Sequence, residues 1–440
     1  MSVLRDPFID QTLNDLRTAN EWCGPQALYR FQQDLALTGG FQVRAAATGV
    51  PCRPKAHFYD PPHGCLYWFD AEEPFCVVAD SLRLGCPVLA LVTAHNVYPV
   101  ASSEGSPLIE RARLLLKGNG QPERCIDPKA RPLACLGHPN FAHFAWNEFP
   151  GLCYLAATGA LFDVQVLYDP LQLAEPFCAA RNLICCHIDD IESVRGWQAR
   201  PIVIPGSVYC TAAVKHDILV SMGLPADHQA GLEPRIYLSI RETGRTLKNQ
   251  AAILAELVKR LLDAMPDATV ILDGFSLPLD FDRPLYDRLR PSFETRIAGA
   301  RRIIAAFSES LPETQRTRLQ DITGVTLKDA LKEIAGCHAY VTHAGTLQHK
   351  AGWFYPLPGI LHGNQASITP GSLRWTASMM EGAIPPQGVD PALIEDHAVQ
   401  GMPRDNERNR DYSFRDADRT IDSIVDTLVR IVRQSTATAS

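Results

Sequence analysis

The sequence has no apolar run long enough to cross a membrane and no paired cysteine motif. Uncharged apolar stretches such as "CPVLALVTA" fall well short of the about 20 residues that a spanning helix needs. The 13 cysteines are an odd number and include no CxxC pair, which argues against a disulfide framework. Cysteines beside apolar residues, as in "PFCVVAD", are typical of small buried thiols in a reducing compartment. We therefore expect a cytoplasmic protein with no transmembrane segment, attached to a membrane peripherally if at all.

The common nucleotide-binding loops and metal-ligand spacings are also missing. The stretch "GNGQPE" lacks the third glycine of the dinucleotide fingerprint, and no GxxxxGK sequence occurs. The cluster "CCHIDDIE" places its cysteines, histidine and aspartates side by side, and adjacent ligands do not easily close one tetrahedron. These features leave oxidoreductases and P-loop NTPases without support, and we expect neither a metal site nor a cofactor.

No charge of one sign dominates the chain. Its 42 basic and 49 acidic residues give a net charge of -7, so the protein has no general attraction for polyanions. We find no local basic groove and expect no nucleic-acid partner.

What the sequence does contain is an alternation of strands and helices that starts after a β-rich region. At 440 residues it is about three times the usual domain size, and strands that alternate with helices predict parallel sheets covered by helices. A loop with two prolines and two glycines separates two such blocks. We predict an N-terminal domain over 1–222 (mixed and β-rich over 1–130, α/β over 131–222), a linker over 223–234, a C-terminal α/β domain over 235–375 with an irregular insertion containing helical pieces at about 280–320, and a segment over 376–440 with an amphipathic helix.

Within the second block several elements are clearly marked. "RIYLSI", "ATVILDGF", "HAYVTHAG" and "PGILHGN" are typical of buried strands. A helical apolar stripe runs from Ile253 to Met265, and Thr326 with Asp329 predicts a capped helix start. At the end of the chain, the pattern predicts a helix from Ile421 to Val432 followed by polar disorder.

Cations follow the first strand of this block. Arg241, Arg245 and Lys248 stand where "RIYLSI" ends and a helix begins. Ligands of α/β sheets bind at the carboxyl ends of strands, and a helix N-terminus favours anions. These residues therefore predict a phosphate-binding turn, with solvated loop cations beside Glu242 as an equally weighted alternative.

A second turn of the same kind follows the strand that ends at His343. The small residues Ala344, Gly345 and Thr346 let a backbone approach a ligand closely before a new helix starts. We predict that this turn shares the ligand of the first. The alternative for His343 is a core histidine with a satisfied hydrogen bond, and the following "QHK" is interpreted as helix surface.

A third group lies in "GHPNFAHFAWNEFPGL". Glu148 has apolar neighbours, which disfavour its charged form and raise its pKa toward the range useful for proton abstraction. His143 lies one helical turn before it. A carboxylate that caps a helix or pairs with an arginine is the alternative interpretation.

Three blocks in chain order resemble the signatures of glycosyltransferase family 61 (DUF563-like) proteins: "HFAWNEFP", "RIYLSIRETGRTLKNQ" and "HAYVTHAGTLQHKAGWF". The resemblance covers about residues 135 to 365. It implies an α/β, GT-B-like fold, in which two Rossmann-like domains face each other across a cleft, here with the mixed β-rich N-terminal region in addition.

The resemblance also implies roles for residues. Arg241 and Arg245 would contact the donor phosphates, Asn249 would order the turn, and His343 with Gly345 and Thr346 would line the nucleotide site. The C-terminal domain would thus hold a nucleotide-sugar donor.

We therefore predict a glycosyltransferase of the hexosyl or pentosyl class with a role in polysaccharide biosynthesis. It would move a sugar from a nucleotide-sugar donor to a hydroxyl of a glycan, lipid-linked or protein acceptor without a metal, and inversion is what the resemblance implies. Glu148 is the first candidate for the base and His143 the second. Two alternatives stay open: a GT-B-like nucleotide-sugar epimerase, and a non-catalytic glycan-binding or scaffold protein with a degenerate transferase fold, which the altered "HAGT" turn favours.

Overall fold

The computed structural model describes most of the chain and divides it into two compact units. The described residues are 7–19, 30–45, 47–61, 63–80, 88–101, 106–118, 120–398 and 407–439. The first unit runs to Val214 and includes Asp282–Leu285, and the second comprises Lys215–Phe281 and the chain from Tyr286 onward. The predicted ranges 1–130 and 376–440 each include residues outside the described ones.

The first unit contains short helices and two main sheets. Its helices are α1 (Pro7–Ala19), α2 (Arg30–Thr38), α3 (Pro107–Lys117), α4 (Phe141–His143), α5 (Phe149–Ala157) and α6 (Ala174–Ala179). Its strands are β1 (Val43–Arg44), β2 (Pro51–Cys52), β3 (Ala56–Asp60), β4 (Gly64–Phe69), β5 (Phe75–Ala79), β6 (Val88–Thr93), β7 (Val97–Pro99), β8 (Leu133–Leu136), β9 (Asp163–Val166), β10 (Cys185–His187), β11 (Gly196–Gln198) and β12 (Ile202–Val203).

The β-rich region predicted at the N-terminus is an antiparallel sheet of six strands in the order β11-β3-β4-β5-β6-β7. Its central strands are buried along their whole length, which explains why they are continuous apolar runs and do not alternate. Helix α3 covers one face and packs Leu108, Ala112 and Leu116 against Phe58 and Trp68.

The second sheet of the first unit is parallel. Its strands lie in the order β10-β9-β8-β12, which is 3-2-1-4 when they are numbered along the chain. In this order β9 and β10 lie on one side of β8, and β12 lies on the other side, so the switch point is between β8 and β12. Ligands of such sheets bind at the carboxyl ends of the strands beside the switch point.

Helix α7 (Ala212–Ser221) follows, and the second unit is built on a parallel sheet of six strands. Its strands are β13 (Arg235–Ser239), β14 (Thr269–Asp273), β15 (Leu319–Asp321), β16 (Ala339–His343), β17 (Gly359–His362) and β18 (Gln387–Gly388), followed by a hairpin of β19 (Ile394–His397) and β20 (Asp411–Phe414). Its helices are α8 (Gln250–Ala264), α9 (Arg290–Ser308), α10 (Glu313–Arg316), α11 (Leu327–Ala335), α12 (Thr346–Gly352), α13 (Pro370–Ser378) and α14 (Ala417–Ala439).

The strand order of this sheet is β15-β14-β13-β16-β17-β18, or 3-2-1-4-5-6 along the chain, the order of the doubly wound nucleotide-binding fold. The side chains of β13, β14 and β16 that face α8, α9 and α14 form one apolar core. The predicted α/β class, with two Rossmann-like parallel sheets and a β-rich N-terminal region, is therefore confirmed. The switch point of this sheet lies between β13 and β16.

The stretch at about 280–320 contains helices, in line with the helical pieces expected there: α9 alone spans 19 residues and packs Ala300, Ile304 and Phe307 into the core. The prediction for the end of the chain is wrong. The final helix does not stop at Val432, since α14 continues to Ala439. Serine and threonine near its end have a lower helix propensity than alanine but do not break the helix, and the alanines there favour it. The predicted cap of α11 is confirmed, as the Thr326 side chain accepts the N–H of Asp329.

In the part of the chain that the structure describes, no helix combines the length and apolar character needed to cross a membrane.

Candidate functional site

The strands of the second unit end in buried polar residues at the switch point of the sheet. Ser239 is the last residue of β13 and His343 the last of β16. The Ser239 hydroxyl accepts the backbone N–H of His343 at 2.9 Å and lies 3.1 Å from its Nδ1. The two predicted turns are therefore joined at the place where doubly wound sheets bind ligands.

Two arginines converge on the second of these turns. The Nη1 of Arg241 donates to the carbonyl oxygen of Ala344 at 3.1 Å. A carbon atom added as a side chain on Gly345 would lie 3.2 and 3.3 Å from the terminal nitrogens of Arg245 and 3.4 Å from Nη1 of Arg241. Gly345 has φ +113°, a backbone conformation that strongly favours glycine, and a side chain at this position would crowd the two guanidinium groups. The structure thus brings Arg241, Arg245 and Gly345 together.

The electrostatics of this pair of arginines favour an anion. Arg241 donates to the carbonyl oxygens of Thr243, Gly244 and Ala344, which are neutral acceptors. Burial and the neighbouring Arg245 lower the pKa of Arg241 to about 10. Because the fold holds two like charges close together, a bound anion would relieve repulsion that water only partly screens.

The loop between β13 and α8 has an unusual backbone. Gly244, Arg245 and Asn249 all have positive φ, of +56°, +59° and +54°, and for Arg245 this conformation is unfavourable, whereas asparagine adopts it more readily. The Gln250 side chain accepts the N–H of Arg241 at 3.1 Å and donates to its carbonyl at 2.7 Å. Gln250, which the sequence analysis did not select, therefore orders the turn at Arg241. Asn249 precedes α8 in the left-handed conformation and makes no side-chain cap.

Lys248 has a different environment from the arginines. Its Nζ lies 3.4 Å from Oδ2 of Asp411, and its backbone N–H donates to the carbonyl of Tyr412. The structure therefore pairs this predicted phosphate ligand with a carboxylate of β20.

His343 is fully buried, and its hydrogen bonds indicate its protonation. Burial and the nearby His362 lower its pKa well below the ordinary value, so the ring is neutral. Among the described residues, the only acceptor for the Ser239 hydroxyl proton is His343 Nδ1, which places the ring proton on Nε2. That nitrogen is buried without a hydrogen-bond partner in the described part of the chain. Thr346 begins α12 directly after this turn.

The interpretation of "QHK" as helix surface is wrong for two of its residues. Gln348 and Lys350 are 0% and 2% exposed. Lys350 forms a buried ion pair with Asp273 and donates to Ser276 Oγ at 2.8 Å. The seven-residue helix α12 lies against β16, so most of its side chains face the protein interior.

The third predicted group lies at the switch point of the first unit. Glu148 is 3% exposed, and its carboxylate accepts the N–H groups of Gly137 and His138, which follow β8, at 3.1 to 3.3 Å. Burial raises its pKa to about 8, against the opposing effect of these two N–H groups. The predicted rise of the pKa is present, and so is the structural role as an acceptor of backbone N–H groups.

His143 lies on the same helix and is oriented by Asn147. The Asn147 amide nitrogen donates to the carbonyl of Ser207, which follows β12, so its oxygen faces His143 Nδ1 at 3.0 Å. This geometry places the His143 proton on Nδ1 and makes Nε2 the basic nitrogen. The segment Phe144–Glu148 is a π-helix, a distortion common at functional sites that no sequence pattern announces.

The pH dependence of stability tests the environment of Glu148. Between its ordinary pKa of 4.5 and about 8, the folded chain keeps a proton that the unfolded chain releases. Glu148 should therefore contribute a fall in the free energy of unfolding of about 1.4 kcal/mol per pH unit in this interval. Glu148→Gln removes this contribution, so its thermal unfolding midpoint should vary less with pH than that of the wild type. Parallel curves for the two proteins would show that Glu148 is ionised throughout.

Comparison with known proteins identifies only remote similarity. No protein-family model matches the sequence, and no curated protein matches it, so membership of glycosyltransferase family 61 stays a prediction. Matching solved structures include the heptosyltransferase TibC with ADP-D-beta-D-heptose (12% identity, 70% of this chain, 77% of that chain, TM-score 0.33), a family 9 glycosyl transferase from Veillonella parvula (11%, 62% and 75%, 0.27) and S. aureus MnaA with UDP (13%, 48% and 53%, 0.23). The chain thus spans about half the length of MnaA. At these TM-scores the likeness carries no weight for the activity of this chain, which must be judged from its own geometry.

Proposed function

We propose that the protein is a glycosyltransferase that takes a sugar from a nucleoside-diphosphate sugar, and that its second unit binds the diphosphate. The observation that supports this most is the convergence of Arg241 and Arg245 on the backbone of Gly345 at the switch point of a 3-2-1-4-5-6 sheet. A diphosphate matches two guanidinium groups because each can donate two hydrogen bonds to phosphate oxygens.

The same groups suit the chemistry of sugar transfer. When the bond between the sugar and the diphosphate breaks, negative charge develops on the departing oxygen. Arg241 and Arg245 would stabilise that charge, and the Nε2–H of His343 supplies a further buried donor. Fixed donors of this kind stabilise a transition state without reorganisation.

The acceptor hydroxyl needs a base in an inverting transfer, and the first unit supplies the two predicted candidates. We propose His143 for this role ahead of Glu148. Asn147 holds the tautomer in which His143 Nε2 accepts a proton, whereas both oxygens of Glu148 already accept backbone N–H groups. A His143→Gln variant that keeps diphosphate affinity and loses sugar transfer would support this assignment, and full transfer by that variant would contradict it.

Titration calorimetry with a panel of nucleoside diphosphates tests the proposed function. We expect one of them to bind the wild-type protein, and the corresponding nucleotide sugar to be consumed only when a hydroxyl acceptor is added. Consumption of the donor without an acceptor would indicate the epimerase alternative. Glycan binding with no affinity for any nucleoside diphosphate would indicate the scaffold alternative and would reject the transferase.

A further inference from the structure

The conformation of the loop that carries Arg245 is not stable by itself. Arg245 has φ +59°, a left-handed conformation that is unfavourable for a residue with a Cβ atom. Such conformations persist only where surrounding contacts impose them. The Gln250 contacts hold the first residue of the loop, Arg241, and do not reach the part that follows Arg245.

A segment near the end of the sequence contacts this part of the loop. Asp411 Oδ1 accepts the N–H of Thr246, the residue after Arg245, at 2.8 Å. The neighbouring Tyr412 donates its N–H to the Thr246 carbonyl at 3.0 Å and accepts the N–H of Lys248 at 2.8 Å. Thus β20 forms backbone hydrogen bonds with the loop like those between neighbouring strands. The Asp411 carboxylate accepts the N–H of Thr246 at the end of this paired segment.

Tyr412 also connects this pairing to the other turn. Its hydroxyl is 2.6 Å from Nδ1 of His362, and the His362 ring lies 4.3 Å from that of His343. Burial lowers the pKa of His362 to about 3, so its neutral Nδ1 accepts the proton of the tyrosine. The start of β20 therefore contacts elements on both sides of the switch point.

We propose that Asp411 is a positioning residue for anion binding, which holds Arg245 over Gly345 through its hydrogen bond to Thr246. This inference rests on the proposed function, since it concerns the same diphosphate site. It adds a residue far from the site in sequence, in a segment from which no site residue was predicted. The carboxylate also pairs with Lys248, so a hydrogen-bond role and a charge role must be separated.

Two substitutions of Asp411 separate these roles, with inorganic pyrophosphate as the probe in titration calorimetry. Asp411→Ala removes the acceptor for the Thr246 N–H, and we expect it to weaken pyrophosphate binding by about tenfold, as for loss of a bond to a charged group. Asp411→Asn removes the charge but keeps an oxygen acceptor, and we expect binding within about threefold of the wild type. Asp390→Ala is the matched control, since Asp390 accepts the N–H of Ala392 in the same unit without contacting the loop.

The possible results are distinct. Wild-type affinity in Asp411→Ala would overturn the positioning role, and so would an Asp411→Asn variant as weak as Asp411→Ala, because charge would then be the cause. A similar loss in Asp390→Ala would show a general effect on the fold and would also overturn it. A wild-type protein that binds neither pyrophosphate nor any nucleoside diphosphate would reject the proposed function together with this inference, whereas binding without sugar transfer would reject the transferase alone.

Discussion

Arg245→Ala should lower the rate of sugar transfer by about 10²- to 10³-fold, the usual loss when one fixed donor to a developing negative charge is removed. Arg245 is the better test of the two converging arginines. Arg241 also donates to the carbonyls of Thr243, Gly244 and Ala344, so its removal would disturb the fold of both turns. Alanine has the same backbone preference as arginine at φ +59°, so Arg245→Ala should change the charge of the site and leave the strain of the loop as it is.

The kinetic pattern distinguishes this role from simple attraction of the donor. Because the charge on the diphosphate grows in the transition state, kcat should fall, and KM for the donor should rise less. Arg245→Lys should recover part of the loss, since it restores a charge without the planar fork. Arg260→Ala is a suitable control, as Arg260 pairs with Glu256, Asp418 and Asp422 on the surface of the same unit. Full activity in Arg245→Ala would remove the residue from the mechanism.

The location of the candidate site was predictable because it follows from strands and their ends. The run "RIYLSI" and the run ending at His343 are largely apolar and each carries a polar residue near its end, and the carboxyl ends of parallel strands meet on one edge of a sheet. What the sequence could not show is that these two strands are neighbours. Only the order β14-β13-β16 places Ser239 beside His343 and gives Arg241 a partner in Ala344.

Residues that act through distant contacts were not predictable in the same way. Gln250 looks like any first residue of a helix, and its two bonds join it to Arg241, nine positions earlier in the chain. Asp411 lies 165 positions from Thr246, and no local pattern connects them. The interpretation of Lys350 as a surface residue was wrong because the short helix α12 places its ammonium group next to Asp273 of β14. Charged residues are almost never fully buried unless they are paired in this way.

The two units have the same strand order around their switch points, and this relates the third predicted group to the first two. In the first unit Glu148 accepts N–H groups after β8, and Asn147 donates to the carbonyl of Ser207 after β12. In the second unit Ser239 and His343 are joined at the corresponding strands. Each predicted group therefore lies at the carboxyl ends of the strands that flank the switch point of its own sheet.

Lys350→Met should lower the free energy of unfolding of the second unit by about 3–5 kcal/mol, because it leaves the buried carboxylate of Asp273 without a counter-charge. Asp273 is 0% exposed and also accepts the Tyr237 hydroxyl at 2.9 Å, a contact that would remain but cannot replace an ammonium group. Asp273→Asn alone should be similarly harmful, since it leaves the lysine charge buried.

The double variant should be more stable than either single one. Its neutral amide can still accept the hydrogen bond of the Tyr237 hydroxyl, and methionine fills the volume of the lysine stem. Denaturant unfolding of the wild type, the two single variants and the double variant gives the coupling energy between the two charges. If the losses of the single variants add up in the double variant, the two charges do not stabilise each other, and water or another group reaches Asp273.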